Sequence, residues 1–334
     1  MKQPMMKPLS KALAMVALFY GAASFAQEYP ARELKSICNF AAGTGADVLV
    51  RYYSDQLGKL VNRPVIVENR PGANGNLATD VLAKSKPDGY TFMITPASST
   101  IAAAMHLSKS LPFDPMKDIT PVAPLLRLSF TLVVSASSPY NNVKELAEAL
   151  KKKPGNGTFG SSNNTGLVGG ELYKQMTGLQ TTSVPYKSTP QSVIDLLGGQ
   201  LDFLMGDGTF VAGQLKGGKL KVLAVTTGTR TSAFPNVPTM AESGFPGYDL
   251  GAWWGVVVPA GTPQPIVDRL ASLFNQISAT EETKKFLATT AASDPLPGTQ
   301  AQMAAMIKND MNRWGGYVKL ANRSEEHTSE LQSH

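Results

Sequence analysis

Strand-like and helix-like segments alternate along almost the whole chain, and several strands hand over to their helices through short loops of glycine, serine and threonine. The first unit sets the pattern. Leu34-Lys35-Ser36-Ile37-Cys38-Asn39-Phe40 reads as a mostly apolar strand, Ala41-Ala42-Gly43-Thr44-Gly45-Ala46-Asp47 as a loop, and Val48-Leu49-Val50-Arg51-Tyr52-Tyr53 as the start of a helix. Such a loop leaves main-chain N–H groups free at the positive end of a helix, where they attract anions. Pro96-Ala97-Ser98-Ser99-Thr100 and Gly160-Ser161-Ser162-Asn163-Asn164-Thr165 repeat the arrangement. Alternation of this kind restricts the chain to α/β layers around mostly parallel sheets. Several loops of one type predict a cleft that holds a small anion by hydrogen bonds rather than one that reacts with it.

The rhythm carries on beyond the first unit. Strands are expected at Val65–Glu68, Tyr90–Thr95, Thr131–Ser135, Thr158–Ser161, Thr182–Pro185, Leu201–Met205, Lys221–Thr226 and Trp253–Val258. Helices are expected at Val48–Leu60, Leu77–Lys84, Ile101–Leu107, Val143–Lys152, Val168–Met176 and Pro190–Leu197, with a short one ending at Lys216 and two or three more after the Pro259–Pro263 turn. Pro235 to Pro246 is proline-rich and aperiodic, and reads as a surface connector. The chain crosses from one sheet to another near Leu126–Thr131 and returns near Tyr248–Trp253. This predicts two α/β lobes joined by two extended crossings, a hinged clamp with its ligand outside the carboxyl ends of the strands. Residues 27–128 plus 251–322 are expected to form lobe 1, and 129–250 lobe 2.

Both ends stand apart. Lys2, Lys7 and Lys11 precede an apolar stretch from Ala12 to Phe25, and Ser24-Phe25-Ala26 suits signal cleavage near Ala26/Gln27. Residues 1–26 are therefore expected to be an export signal and the mature chain to be periplasmic. Residues 323–334 bear no relation to what precedes them and read as a foreign tail, a translated sequencing adapter.

Composition excludes several chemistries. Of three histidines, His327 and His334 lie in that tail, which leaves His106; Cys38 is the single cysteine. These cannot build a His/Cys metal cluster or a disulfide within the chain. A Ser-His-Asp triad would have to use His106, and no Gly-x-Ser-x-Gly elbow presents a serine. The chain carries a net charge of +6, with Lys151-Lys152-Lys153 as its one cationic run. Lysines there suit the negative end of a helix. No interleaved aromatic stripe marks a nucleic-acid surface. A modest positive charge favours anionic ligands.

Ser98, Ser99, Thr100, Ser161, Ser162 and Thr165 are the candidate side-chain donors to a carboxylate; each also suits a helix N-cap. Thr44 and Asp47 match an acidic capping box, so Asp47 either caps the helix or meets the ligand. Asp207 either binds a ligand amino group or caps the helix beginning near Thr209. Lys187 either faces the cleft or lies exposed. Tyr186, Trp253 and Phe40 either pack on a ring-bearing ligand or serve as hinge and core packing.

Five ordered motifs carry a resemblance. They are Glu68-Asn69-Arg70-Pro71-Gly72-Ala73-Asn74-Gly75-Asn76, Pro87-Asp88-Gly89-Tyr90-Thr91, Leu111-Pro112-Phe113-Asp114-Pro115 with Lys117-Asp118, Val184-Pro185-Tyr186-Lys187, and Pro259-Ala260-Gly261-Thr262-Pro263. Leu196–Gln200 and Phe234–Thr239 add to them. Over residues 28–322 the chain resembles the Bug-type extracytoplasmic receptors of tripartite tricarboxylate transporters. The resemblance implies a two-lobe, type II-like periplasmic binding protein without enzyme activity or cofactor. It implies a monomer that captures a di- or tricarboxylate, an acidic amino acid or an aromatic acid for a large and a small membrane permease subunit. Sensing for a membrane kinase and, on another reading, an exported hydrolase using His106 are the alternatives. The implied ligand loops are Phe40–Asp47 (Phe40, Ala42, Gly43, Thr44, Asp47), Pro96–Thr100 (Ser98, Ser99), Ser161–Thr165 (Ser161, Ser162, Asn163, Thr165), Tyr186–Lys187 and Asp207. The departures fall in these same loops: Asn39 stands where the family usually has proline, Thr44 in place of a second glycine, and Ser188 after Tyr186-Lys187 in place of glycine. The scaffold motifs match while the lining differs, so the ligand of a relative does not transfer.

Overall fold

The computed structural model describes residues 29–108, 110–186, 188–215 and 217–320. The expected export signal with its cleavage point, the foreign tail and Lys187 lie outside these residues. The described chain runs β1 (Leu34–Cys38), α1 (Gly45–Val61), β2 (Val65–Asn69), α2 (Asn76–Ala83), β3 (Thr91–Thr95), α3 (Ala97–Thr100), α4 (Ala104–Leu107) and β4 (Ile119–Ser135). It continues through α5 (Val143–Lys151), β5 (Thr158–Ser161), α6 (Asn164–Thr177), β6 (Thr182–Pro185), α7 (Thr189–Leu197), β7 (Phe203–Asp207), α8 (Gly208–Leu215) and β8 (Leu220–Val225). Then follow β9 (Gly251–Pro259), α9 (Gln264–Ala279), α10 (Glu281–Phe286), β10 (Ser293–Pro295) and α11 (Gln300–Leu320).

The strands form one continuous sheet in the order β2-β1-β3-β9-β4-β7-β5-β6, with β8 and β10 also paired to β4. Among the strands named above, parallel pairing links β1 with β2 and β3, and β5 with β6 and β7. Every pair made by β4 or β9 is antiparallel. Two parallel units are thus joined through two long antiparallel strands, and this is the two-lobe α/β architecture.

β4 explains the join. It is one 17-residue strand, where sequence patterning suggested a crossing that ran into a short strand. Its first part pairs with β9 as far as Ser129 opposite Gly251. From Phe130, opposite Asp207, it pairs with β7, and from Thr131 with β8 as well. Pro121 and Pro124 do not break it, because its register with β9 shifts at Pro121/Ala123 and Pro124/Leu126. A proline lacks the N–H that a regular ladder needs, and such irregularities remove that demand.

Side chains from both faces of this sheet are buried. On one face α1 and α9 pack Leu49, Val50, Tyr53, Leu57, Leu270 and Phe274 against Phe92, Ile94 and Val256. On the other, one cluster runs from Ile37 and Met93 through Leu132, Phe159 and Phe203 to Trp253, Met303 and Trp314. Both parallel units therefore share a core on this face.

Two expectations are corrected. Of the helix expected at Ile101–Leu107 only Ala104–Leu107 (α4) forms; Ile101 to Ala103 lie between it and the preceding short turn α3. Pro235–Pro246 is irregular as expected, but it is more than a surface connector. Met240 and Phe245 are buried, as is the flanking Phe234, because this segment covers part of the core and Met240 N donates to Val225 O at 2.9 Å.

Candidate functional site

The carboxyl ends of β1, β3, β5, β6 and β7 each release a loop, and the loops meet. A Cβ added to Gly45, at the start of α1, would lie 3.8 Å from Thr209 Cγ2 on α8. The loop after β1 therefore stands in van der Waals reach of the loop after β7.

On the β1 side one aspartate organises the loop. Asp47 is 2% exposed. Its Oδ2 accepts from Gly43 N at 2.8 Å and Arg51 Nε at 2.9 Å, and its Oδ1 accepts from Asn69 Nδ2 at 2.7 Å. Asn69 Nδ2 also donates to Phe40 O at 2.9 Å, while Arg51 donates to Asn69 Oδ1 at 2.8 Å. Burial opposes ionisation of Asp47, but the bonds from Arg51, Asn69 and Gly43 outweigh it and hold the carboxyl below its ordinary value. Both oxygens are engaged, so Asp47 braces the loop. Thr44 is the N-cap: its Oγ accepts from Asp47 N at 3.2 Å and donates to Ala41 O at 2.8 Å. Gly43 has φ +80°, which a glycine adopts without strain. These bonds leave Ala41 to Gly45 exposed, so Ala42 and its neighbours offer main chain to a ligand. Phe40 stacks on Trp254 with ring centroids 5.5 Å apart.

The β3 loop is divided. Ser98 is 3% exposed; its Oγ accepts from Trp253 N at 3.2 Å, and its carbonyl accepts from Trp314 Nε1 at 2.6 Å. Trp253 Nε1 in turn donates to Asp310 at 2.6 Å. Ser98 thus ties this loop to the returning crossing and to α11, and Trp253 serves the same junction. Ser99 is half-buried and donates to Pro96 O at 3.4 Å. Thr100 is buried and accepts from Asn39 Nδ2 at 3.4 Å, while Thr95 donates to Asn39 Oδ1 at 3.1 Å. Asn39, which replaces a proline of the family pattern, therefore clips the end of β1 to the end of β3.

The β5, β6 and β7 ends are joined by hydroxyls. Thr189 Oγ1 donates to Asp207 Oδ2 at 2.8 Å, and Ser162 Oγ bonds Thr189 Oγ1 at 2.8 Å. Asp207 Oδ1 accepts from Phe210 N at 2.9 Å, which caps the start of α8. Asn163 caps α6 by accepting from Gly166 N at 2.9 Å. Ser161 and Thr165 are buried beside them. Gly208 has to be glycine, since a Cβ would lie 2.7 Å from Ser129 O on β4. Tyr186 donates to Asp195 at 2.6 Å; burial, with that bond and the Asp195 charge, pushes its phenol up to about 12. Its hydroxyl is committed to α7.

The structure thus brings Phe40, Ala42, Gly43, Thr44 and Asp47 into one loop, and Ser161, Ser162, Asn163, Thr165, Tyr186 and Asp207 into adjoining strand ends. It gives Ser98 a junction role. Sequence reading missed Asn39, Arg51, Asn69 and Thr189. Asn39 was visible as a departure from the family pattern; Thr189 carried no local signal. His106 bonds Met311 O through Nε2 at 2.8 Å and packs on Gly315, so that nitrogen is committed to a main-chain carbonyl. Among the described residues no group of three or more His, Cys, Asp or Glu could hold a metal, and no helix is long and apolar enough to cross a membrane.

Comparison with known proteins gives consistent results. Residues 49–322 match the family described as "Tripartite tricarboxylate transporter family receptor". Protein BugT of Bordetella pertussis is 30% identical over 318 residues, 93% of this chain and 97% of its own length. The structure of R. palustris Rpa4515 with adipate aligns with TM-score 0.78 and 30% identity over 88% of this chain and 99% of that one. MatC (Rpa3494) from Rhodopseudomonas palustris with bound malate aligns with TM-score 0.73 and 26% identity over 87% and 100%.

Proposed function

The chain belongs to the receptor family of tripartite tricarboxylate transporters, and from that premise we propose that it is a periplasmic receptor that captures a small carboxylate between its two lobes for uptake. The observation that carries this reading is the closeness of Gly45 to Thr209, whose Cγ2 would lie 3.8 Å from a Cβ added to Gly45; it sets the exposed main chain after β1 near the strand ends of the second parallel unit. Main-chain N–H groups at a helix start suit a carboxylate through charge-assisted bonds. The related structures with adipate and malate support the same class. Lobe 1 comprises residues 27–128 together with 251–322, and lobe 2 residues 129–250. The pivot on the first crossing lies where β4 changes partner, between Ser129 and Phe130.

The ligand enters an open form, bridges the lobes and shifts the population to the closed form. A large and a small membrane permease subunit then receive it. Thermal unfolding of the exported protein with a panel of mono-, di- and tricarboxylates tests the reading. A ligand at about 100 times its dissociation constant adds roughly 2.7 kcal/mol of stability. If no carboxylate raises the unfolding temperature while a neutral solute does, the proposal is wrong.

A further inference from the structure

We infer that the relay Ser162–Thr189–Asp207 turns Ser162 into a hydrogen-bond acceptor, so that the ligand is a carboxylate bearing a hydroxyl or ammonium donor rather than a plain diacid. This deepens the proposed function and rests on it. Counting protons along the relay leads there. A carboxylate has none to give, and both oxygens of Asp207 are acceptors: Oδ1 from Phe210 N at 2.9 Å and Oδ2 from Thr189 Oγ1 at 2.8 Å. Thr189 has a single hydroxyl proton, and Asp207 takes it. The bond of 2.8 Å between Thr189 and Ser162 can then be made only with the proton of Ser162. Ser162 has none left. What it presents is a lone pair.

Burial orders the relay from the inside outward. Thr189 is 7% exposed, whereas Ser162 is half-buried in the loop between β5 and α6. Ser162 is therefore the member a ligand can reach. A second carboxylate oxygen placed against this lone pair would be repelled. A hydroxyl or ammonium group next to the carboxylate would be bound. The donors that hold the carboxylate itself come from the other side, from the exposed main chain after β1.

Exchange of Asp207 for asparagine reverses the relay without changing its shape. The amide oxygen still accepts from Phe210 N, and the amide N–H₂ donates to Thr189. Thr189 then donates to Ser162, and the Ser162 proton is released towards the cleft. The test is calorimetric titration of the exported wild-type protein, Asp207→Asn and Ser162→Ala with succinate, malate and aspartate. Malate probes a hydroxyl donor and aspartate an ammonium. The wild type is expected to bind malate or aspartate about 10-fold more tightly than succinate, as for one well-made hydrogen bond set against an unpaired group. Asp207→Asn is expected to compress that ratio about 10-fold, and Ser162→Ala to bring it near unity. Succinate binding as tightly as malate and aspartate in the wild type, or a ratio unmoved by Asp207→Asn, overturns the inference while leaving the carboxylate receptor standing. Failure of all three acids to bind overturns the inference, and the receptor reading falls with it only if the wider carboxylate panel also fails to bind.

Discussion

The two sides of the cleft use an aspartate in opposite ways. Asp47 sits beneath the loop after β1, saturated by N–H donors from Gly43, Arg51 and Asn69. It consumes no hydroxyl proton and leaves the main chain of 41–45 exposed. Asp207 lies at the end of β7 and draws on hydroxyls, so the protons of Thr189 and, through it, Ser162 point inward. On the reading proposed above, one side offers exposed main chain and the other an acceptor at Ser162. A cleft of this kind reads polarity along a ligand as well as its charge.

The difference between the sides is tested most severely at Asp47. Asp47→Ala leaves the Gly43 N–H, Arg51 and Asn69 without their shared acceptor, and should cost about 3 kcal/mol. For a chain of this length that lowers the unfolding temperature by roughly 4–5 °C. Succinate, malate and aspartate should all lose affinity by a similar factor, since the loop serves the carboxylate common to them; calorimetry would show a selective loss if this account of the first loop were mistaken. Ser98→Ala comes next. It strips a buried acceptor from Trp253 N at the return crossing and should cost about 1–2 kcal/mol in denaturant unfolding, with no change in ligand preference.

Thr189→Val is smaller in stability, about 1 kcal/mol, but it acts on one side of the cleft alone. It cuts the relay, frees the Ser162 proton, and should narrow the preference for malate over succinate; an unchanged preference would count against the relay. The smallest effect is in pH. Asp47 has its folded pKa held below the ordinary 3.8 by Arg51, Asn69 and Gly43 against the opposing effect of burial. Its contribution is therefore complete above that ordinary value and lost as pH falls through the folded one. Asp310 has the reverse sign: burial raises its pKa more than Trp253 and Arg313 lower it. Its contribution is complete below 3.8 and lost as pH rises through the folded value. Asp47→Asn should flatten the acid limb of a stability–pH curve, and Asp310→Asn the limb above it. Curves unchanged by either exchange would refute this assignment.

Much of the fold was legible because its signals are local. Val65–Glu68, Thr158–Ser161 and Thr182–Pro185 were readable as strands from apolar runs between turn residues, and the helices between them from spacing and caps such as Thr44. The single run of β4 was less legible, because its prolines argue against a regular strand and only the shifted register with β9 accommodates them. At the site, the loops were readable but the tasks of their residues were not. Ser98 and Ser162 look alike in sequence, yet Ser98 accepts from Trp253, 155 residues away, and Ser162 gives its proton to Thr189, 27 residues away.

By itself the amino-acid order determined the alternation of strands and helices, the placing of glycine and hydroxyl residues at strand ends, and the family, because propensity, caps and turn chemistry act over a few neighbours. Only the tertiary structure decided which aspartate meets N–H groups alone and which also takes the proton of a hydroxyl. A hydroxyl has one proton, and where it goes depends on partners that only the folded sheet brings within bonding distance.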